Sequence, residues 1–186
     1  LADYQISAAQ VFISPGVPSG LGEELLALEE VTDLGRIRAS VAGFEERPIL
    51  IGGIDEEIFK LIKTKDINGN IEKFRQKNTL GVLKQKAERD GLVVGDTLTI
   101  YIPEEGEINF EVGYIFDWTT PPPAELFLLL DNYEFLKNET LDTEIYLNVK
   151  EKNDSTYNII DSIVKEYPGA AFRDQDGLIE EANTQI

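Results

Sequence analysis

The chain has 186 residues, with 35 Asp or Glu against 17 Lys or Arg and a formal charge of −18. It contains no Cys, His or Met, which excludes disulfides, thiol nucleophiles, Cys-ligated zinc, Ser-His-Asp triads and imidazole bases. The negative charge repels nucleic-acid phosphates, so no nucleic-acid partner is expected, and the 42% apolar content is that of a packed domain.

In chain order, residues 8–13 predict a short strand, closed by the Pro- and Gly-rich segment 14–20. A helix follows with Leu21, Leu25, Leu26 and Leu28 on one side and Glu23, Glu24, Glu29 and Glu30 mostly on the other. Ser19 is its expected N-cap. Strands are predicted over Arg36–Ala42 and Pro48–Ile54, and then a short helix capped by Asp55. Residues 63–79 read as polar and irregular.

Gly81–Asp90 reads as a strand end feeding a helix that stops at Gly91. A hairpin follows: Leu98, Ile100 and Ile102 share one face, Pro103–Gly106 forms the loop, and the return strand puts Ile108, Phe110, Val112, Tyr114 and Phe116 on one face. Thr119–Pro123 is a stiff connector, Leu126–Leu130 a buried central strand, and Tyr133–Leu136 a short helix. A strand carries Ile145, Leu147 and Val149, and Asp154 or Ser155 caps a helix through Ile159, Ile160, Ile163, Val164 and Tyr167. Pro168-Gly169 ends it, Ala170–Arg173 forms a strand, and an acidic helix runs from about Gln175 to the last residue. The antiparallel hairpin among interleaved helices makes the fold class α+β. The longest apolar run, Leu126–Leu130, is far below the ~20 residues of a membrane span. With no initiator Met and a last helix unfinished at Ile186, the expectation is a piece cut from something longer or a processed product.

Leu80–Ile100, with Gly91-Leu-Val-Val-Gly95-Asp96-Thr-Leu98 at its centre, and Phe110-Glu-Val-Gly-Tyr-Ile-Phe116 resemble the extracytoplasmic, MacB-like core domain of FtsX-like ABC transporter permeases. Gly113 stands one place early relative to that family's strand, which suggests a bulge or a shifted register. The order of elements at both ends and the block Leu50–Phe59 extend the resemblance over nearly the whole chain, more loosely. It implies a two-lobed α+β domain with a mixed sheet. Residues 1–48 and 125–186 would form a membrane-proximal lobe, and 49–124 a smaller inserted lobe containing the hairpin. It also implies a place at the outer face of the cell membrane between transmembrane helices one and two, and a mechanical role driven by a cognate ABC ATPase. The partners implied are a second permease copy, an extracytoplasmic adaptor or a cell-wall hydrolase. The charge adds a cationic peptide to that set.

No catalytic, cofactor-binding or metal residue is expected. Thr64–Arg75 lacks the Asp and the bidentate Glu that a calcium loop needs at its first and twelfth positions, and the segment around Asp174–Gly177 fails the same way. Glu56/Glu57, Glu104/Glu105 and Glu180/Glu181 could nominally be the carboxylates of an acidic hydrolase, but adjacent side chains diverge and suit solvated faces. Gly91 and Gly95-Asp96 read as a corner without chemistry, and Trp118 as a partly buried anchor for the proline connector. The alternative to the permease reading is a free-standing secreted ligand-binding domain of similar fold.

Overall fold

The computed structural model describes residues 1–9, 16–118 and 123–174. The strands are β1 (Tyr4–Ala8), β2 (Val17–Pro18), β3 (Val31–Phe44), β4 (Arg47–Ile54), β5 (Thr64–Gly69), β6 (Thr79–Leu83), β7 (Thr97–Ile102), β8 (Gly106–Trp118), β9 (Leu126–Leu129), β10 (Leu141–Asp142), β11 (Glu144–Val149) and β12 (Ala170–Asp174). The helices are α1 (Ser19–Leu26), α2 (Ile58–Leu61), α3 (Ile71–Phe74), α4 (Lys84–Asp90), α5 (Glu134–Lys137) and α6 (Asp154–Val164). The expected terminal helix from Gln175, most of the expected strand at 8–13 and most of the proline connector lie outside the described residues.

Two compact units emerge: Leu1–Arg38 with Asp55–Ile62 and Glu139–Ile186, and Ala39–Ile54 with Lys63–Asn138. The expected changeovers at 48/49 and 124/125 differ from these bounds, and the second unit is nearly as long as the first. β3 is one unbroken strand whose first half belongs to the first unit and whose second half belongs to the other. The chain then revisits the first unit through α2. At the far end, β9 pairs with β4 and β6, which keeps Leu126–Asn138 in the second unit.

The first unit is an antiparallel sheet ordered β12, β1, β11 and the first half of β3. One face carries Tyr4, Ile6, Leu34, Ile145 and Leu147, packed against Leu21 and Leu25 of α1 and Ile160 and Val164 of α6. On the other face Ile58 of α2 rests on Gly35, where an added Cβ would come within 2.9 Å of the Ile58 backbone nitrogen. Three expected helix caps shift. Pro18 precedes α1 and Ser19 is already helical. Asn153 rather than Asp154 or Ser155 caps α6, accepting from the Thr156 N–H at 2.9 Å. Asp55 is not the cap of α2, because Arg36 holds its side chain.

The second unit is a barrel. Hydrogen-bonded neighbours run β3, β4, β9, β6, β8, β7, and β7 returns to β3 where Gly43 meets Tyr101. Closure removes the open edges that each strand would otherwise expose. Alternate residues point inward and fill the interior: Ala42, Ile51, Leu80, Val82, Leu98, Ile100, Ile102, Phe110, Val112, Leu126 and Leu128. Ala87 of α4 and Leu136 of α5 join this core. The stretch 63–79, expected to be irregular, holds β5 on the outer side of β8 and α3, capped by Asn70. Polar side chains hid that strand because it is exposed along most of its length.

The hairpin of β7 and β8 forms as expected, but β8 does not keep one face inward. Leu80 of β6 pairs with Val112 and Gly81 with Tyr114, so Gly113 is an extra residue in β8. Beyond this bulge Ile115 points inward, while Tyr114, Phe116 and Trp118 turn outward with Phe74 and Phe127. Gly113 has no room for a side chain: an added Cβ would lie 2.2 Å from Thr79 Cγ2 and 2.7 Å from Lys73 Cγ. Gly91, by contrast, has positive φ with nothing within 4 Å of the added atom. Gly113→Ala should therefore cost about 2–3 kcal/mol through overpacking, and Gly91→Ala about 1 kcal/mol through left-handed strain alone. Urea unfolding of the two variants checks this order. Equal losses would show that the bulge relaxes at no cost.

Candidate functional site

Charged residues lie inside the first unit, although its strands are short and its core is small. Arg36 and Arg38 project from β3 on the face toward α1. The Arg38 Nε donates to Asp142 Oδ1 at 2.7 Å, with side chains 7% and 0% exposed. The Arg36 Nε and its backbone N–H both donate to Asp55 Oδ2, at 3.1 and 3.0 Å. Gly22 of α1 makes space for the cluster, since an added Cβ would lie 3.1 Å from Arg36 Cδ and 3.3 Å from Asp142 Oδ2. Burial pushes the Asp142 carboxyl above its usual range, and the Arg38 hydrogen bond opposes that shift. Asp142 Oδ2 has no hydrogen-bond partner among the described residues.

The opposite face of the same sheet carries a second polar chain. Gln5 Nε2 donates to the Tyr146 hydroxyl at 3.1 Å, and that hydroxyl donates to Glu144 Oε2 at 2.8 Å. Arg173 reaches Ser7 Oγ at 2.7 Å beside them. Burial pushes Glu144 up to about 7, while the Tyr146 hydrogen bond and the Arg173 charge pull it down.

Asp142 is fully buried and out of reach of a substrate. Glu104 and Glu105 sit on an exposed loop, Glu57 pairs with Lys60 at 2.7 Å on the surface, and Glu180/Glu181 lie outside the described residues. Among the described residues no three acidic side chains converge as a metal site. The rejected calcium loop is occupied by β5, where Asp66 accepts the Tyr114 hydroxyl. The Gly91–Asp96 corner is structural. Gly91 and Gly95 have φ of 68° and 101°, Gly95 N–H donates to Val112 O at 2.8 Å, and Asp96 Oδ2 caps the Val93 N–H at 2.8 Å. Trp118 is buried and packs on Phe127 with ring centroids 5.5 Å apart.

Reading along the sequence missed the two polar clusters, because their members are far apart in the chain. Arg36 and Asp55 are 19 positions apart, Arg38 and Asp142 are 104 apart, and Gln5 and Tyr146 are 141 apart. The one local signal is a pair of arginines two positions apart on a strand, aligned with Leu34 on the core side.

Solved extracytoplasmic domains of ABC transporters have a similar α+β fold. The periplasmic region of MacB from Actinobacillus actinomycetemcomitans matches with a TM-score of 0.60 at 9% identity, over 97% of this chain and 92% of that one. A domain of a Porphyromonas gingivalis protein described as a permease matches with a TM-score of 0.56 at 12% identity, over 91% and 85%. The extracellular domain of the noncanonic ABC-type transporter YknZ from Gram-positive bacteria matches at 0.54 and 11% identity, over 92% and 98%. No protein-family model and no curated protein matches by sequence.

Two outcomes follow from the buried charges. Arg38→Met leaves Asp142 buried without its hydrogen-bonded partner and should lower stability by about 3–5 kcal/mol, whereas Arg38→Met with Asp142→Leu should recover most of that loss. Chemical unfolding of both variants decides it, and a double variant no better than the single would contradict the pairing. Because the folded pKa of Glu144 lies above that of the unfolded chain, its contribution to stability is present at low pH and is lost as pH rises from about 4.5 to about 7. Glu144→Gln should therefore gain on the wild type by roughly 1–3 kcal/mol between pH 5 and pH 8. A pH-independent difference would show that the carboxyl is solvated.

Proposed function

We propose that the chain is the extracytoplasmic domain of an FtsX/MacB-like ABC transporter permease. In the full-length protein it would stand outside the membrane between the first two transmembrane helices. It would relay conformational change driven by an ATPase on the cytoplasmic side, and would bind substrate or partner protein without catalysing a reaction. The observation that carries this reading is the fold match over more than nine-tenths of the chain to three such domains. No helix among the described residues is long and apolar enough to cross a membrane.

The absence of Cys makes a clean test. A single Asn158→Cys change on the exposed side of α6, placed in the full-length protein, gives one labelling site. In intact cells a membrane-impermeant maleimide should label it, and the labelled protein should sediment with membranes. Labelling only after lysis would overturn the reading. Recovery of labelled protein free in the medium would favour the secreted ligand-binding domain instead.

A further inference from the structure

The barrel exposes large apolar side chains on one sector of its outer wall. Val41 on β3, Leu50 on β4 and Tyr101 on β7 are 57%, 50% and 51% exposed. They are neighbours. The Tyr101 ring lies across Gly43, whose added Cβ would sit 3.4 Å from Tyr101 Cβ and 3.7 Å from its ring. Val41 is two places from Gly43 on the same strand face. β3 and β4 are adjacent and joined by the two-residue loop Glu45–Glu46, which sets Val41 across from Leu50. Leu50 also borders a recess lined by Ile49, Lys86, Pro123, Ala124 and Leu126. Isolated exposed apolar residues need no explanation, but a contiguous set beside a recess marks an interaction surface.

The flanks of this patch are acidic. Glu107 pairs directly with Tyr101, Glu104 and Glu105 occupy the loop after β7, and Glu45 and Glu46 form the loop after β3. All five are exposed, and Arg47 at the start of β4 is the cation in the set. That charge selects the occupant. A second copy would bring the same glutamates against one another across a two-fold contact, and anionic lipid or nucleic acid would be repelled outright. We propose that Val41, Leu50 and Tyr101 form a docking surface for a protein segment that presents apolar side chains flanked by Lys or Arg. The surface rests on the extracytoplasmic reading only for where that partner is met.

The probe is a fluorescein-labelled peptide, Lys-Lys-Leu-Phe-Leu-Lys-Lys, titrated with the 186-residue chain and followed by anisotropy. Leu50→Ser and Tyr101→Ser should each weaken binding about tenfold or more, as expected of central apolar anchors. Glu107→Gln should weaken it severalfold and flatten its salt dependence. Val93→Ser removes an equally exposed apolar residue on the corner after α4 and should leave binding unchanged. Peptides with Glu for Lys, or Ser for Leu and Phe, should not bind. Amide shift mapping on the unmodified chain should place the largest changes in β3, β4 and β7. Changes mapped elsewhere, a Val93→Ser effect as large as that of Leu50→Ser, or binding of the Glu peptide would overturn the proposal. So would dimerisation of the chain that Tyr101→Ser abolishes. All of these are read on the isolated chain, so a failure of the labelling experiment in cells would leave the result standing and would move only the site of action.

Discussion

A strand sandwiched between two apolar layers cannot alternate polar and apolar residues, and β8 meets this problem only along its second half. Up to Val112 its inward side chains fill the barrel, and after Gly113 the parity inverts, sending Tyr114, Phe116 and Trp118 to an outer aromatic layer. The inversion requires one unpaired residue, and the closeness of Thr79 and Lys73 requires that residue to be glycine. The outer layer depends on further absences of side chain: Phe127 covers Gly52, and Phe74 and Phe116 meet at Gly81. β6 shifts its register against β8 at this residue and β5 shifts its own close by, so the second aromatic layer rests on the bulge.

The first unit solves a different problem. It holds 20 acidic and 7 basic residues, against 15 and 10 in the second, so most of the net charge of −18 belongs to it. Two of its few cations are committed to carboxylates, Arg36 on half-buried Asp55 and Arg38 on fully buried Asp142, where removing one partner strands the other. These arginines lie at the end of the chain's first passage through the unit, Asp55 begins its second, and Asp142 lies just inside its third. Three separate passages are thus fastened by one cluster of buried and half-buried charges.

Much of this was legible in the sequence. The hairpin of β7 and β8, the corner at Gly91 and Gly95-Asp96, the buried strand at Leu126 and the helix through Ile160 and Val164 all follow from local periodicity and turn chemistry, and the structure has them. The early Gly113 was visible as a departure from a familiar pattern, yet its effect on facing was not, because alternation read along β8 alone shows no break in hydrophobicity. β5 was hidden because an exposed strand has no apolar rhythm to reveal it. The unit boundaries and the polar clusters depend on contacts between residues up to 166 positions apart, and a single sequence carries no trace of such pairings. At Asn153-Asp154-Ser155 three cap-forming side chains stand together, and the cap falls on the first of them.

The proposed relay requires movement between the two compact units. The most direct test uses the full-length protein with its ATPase, carrying spin labels at Thr97→Cys on the barrel and Asn158→Cys on α6, both exposed positions. Pulsed electron spin resonance gives the distribution of distances between them. A relay predicts a distribution that shifts between the nucleotide-free and the ATP-trapped states. An unchanged distribution, with ATP hydrolysis intact, would contradict it.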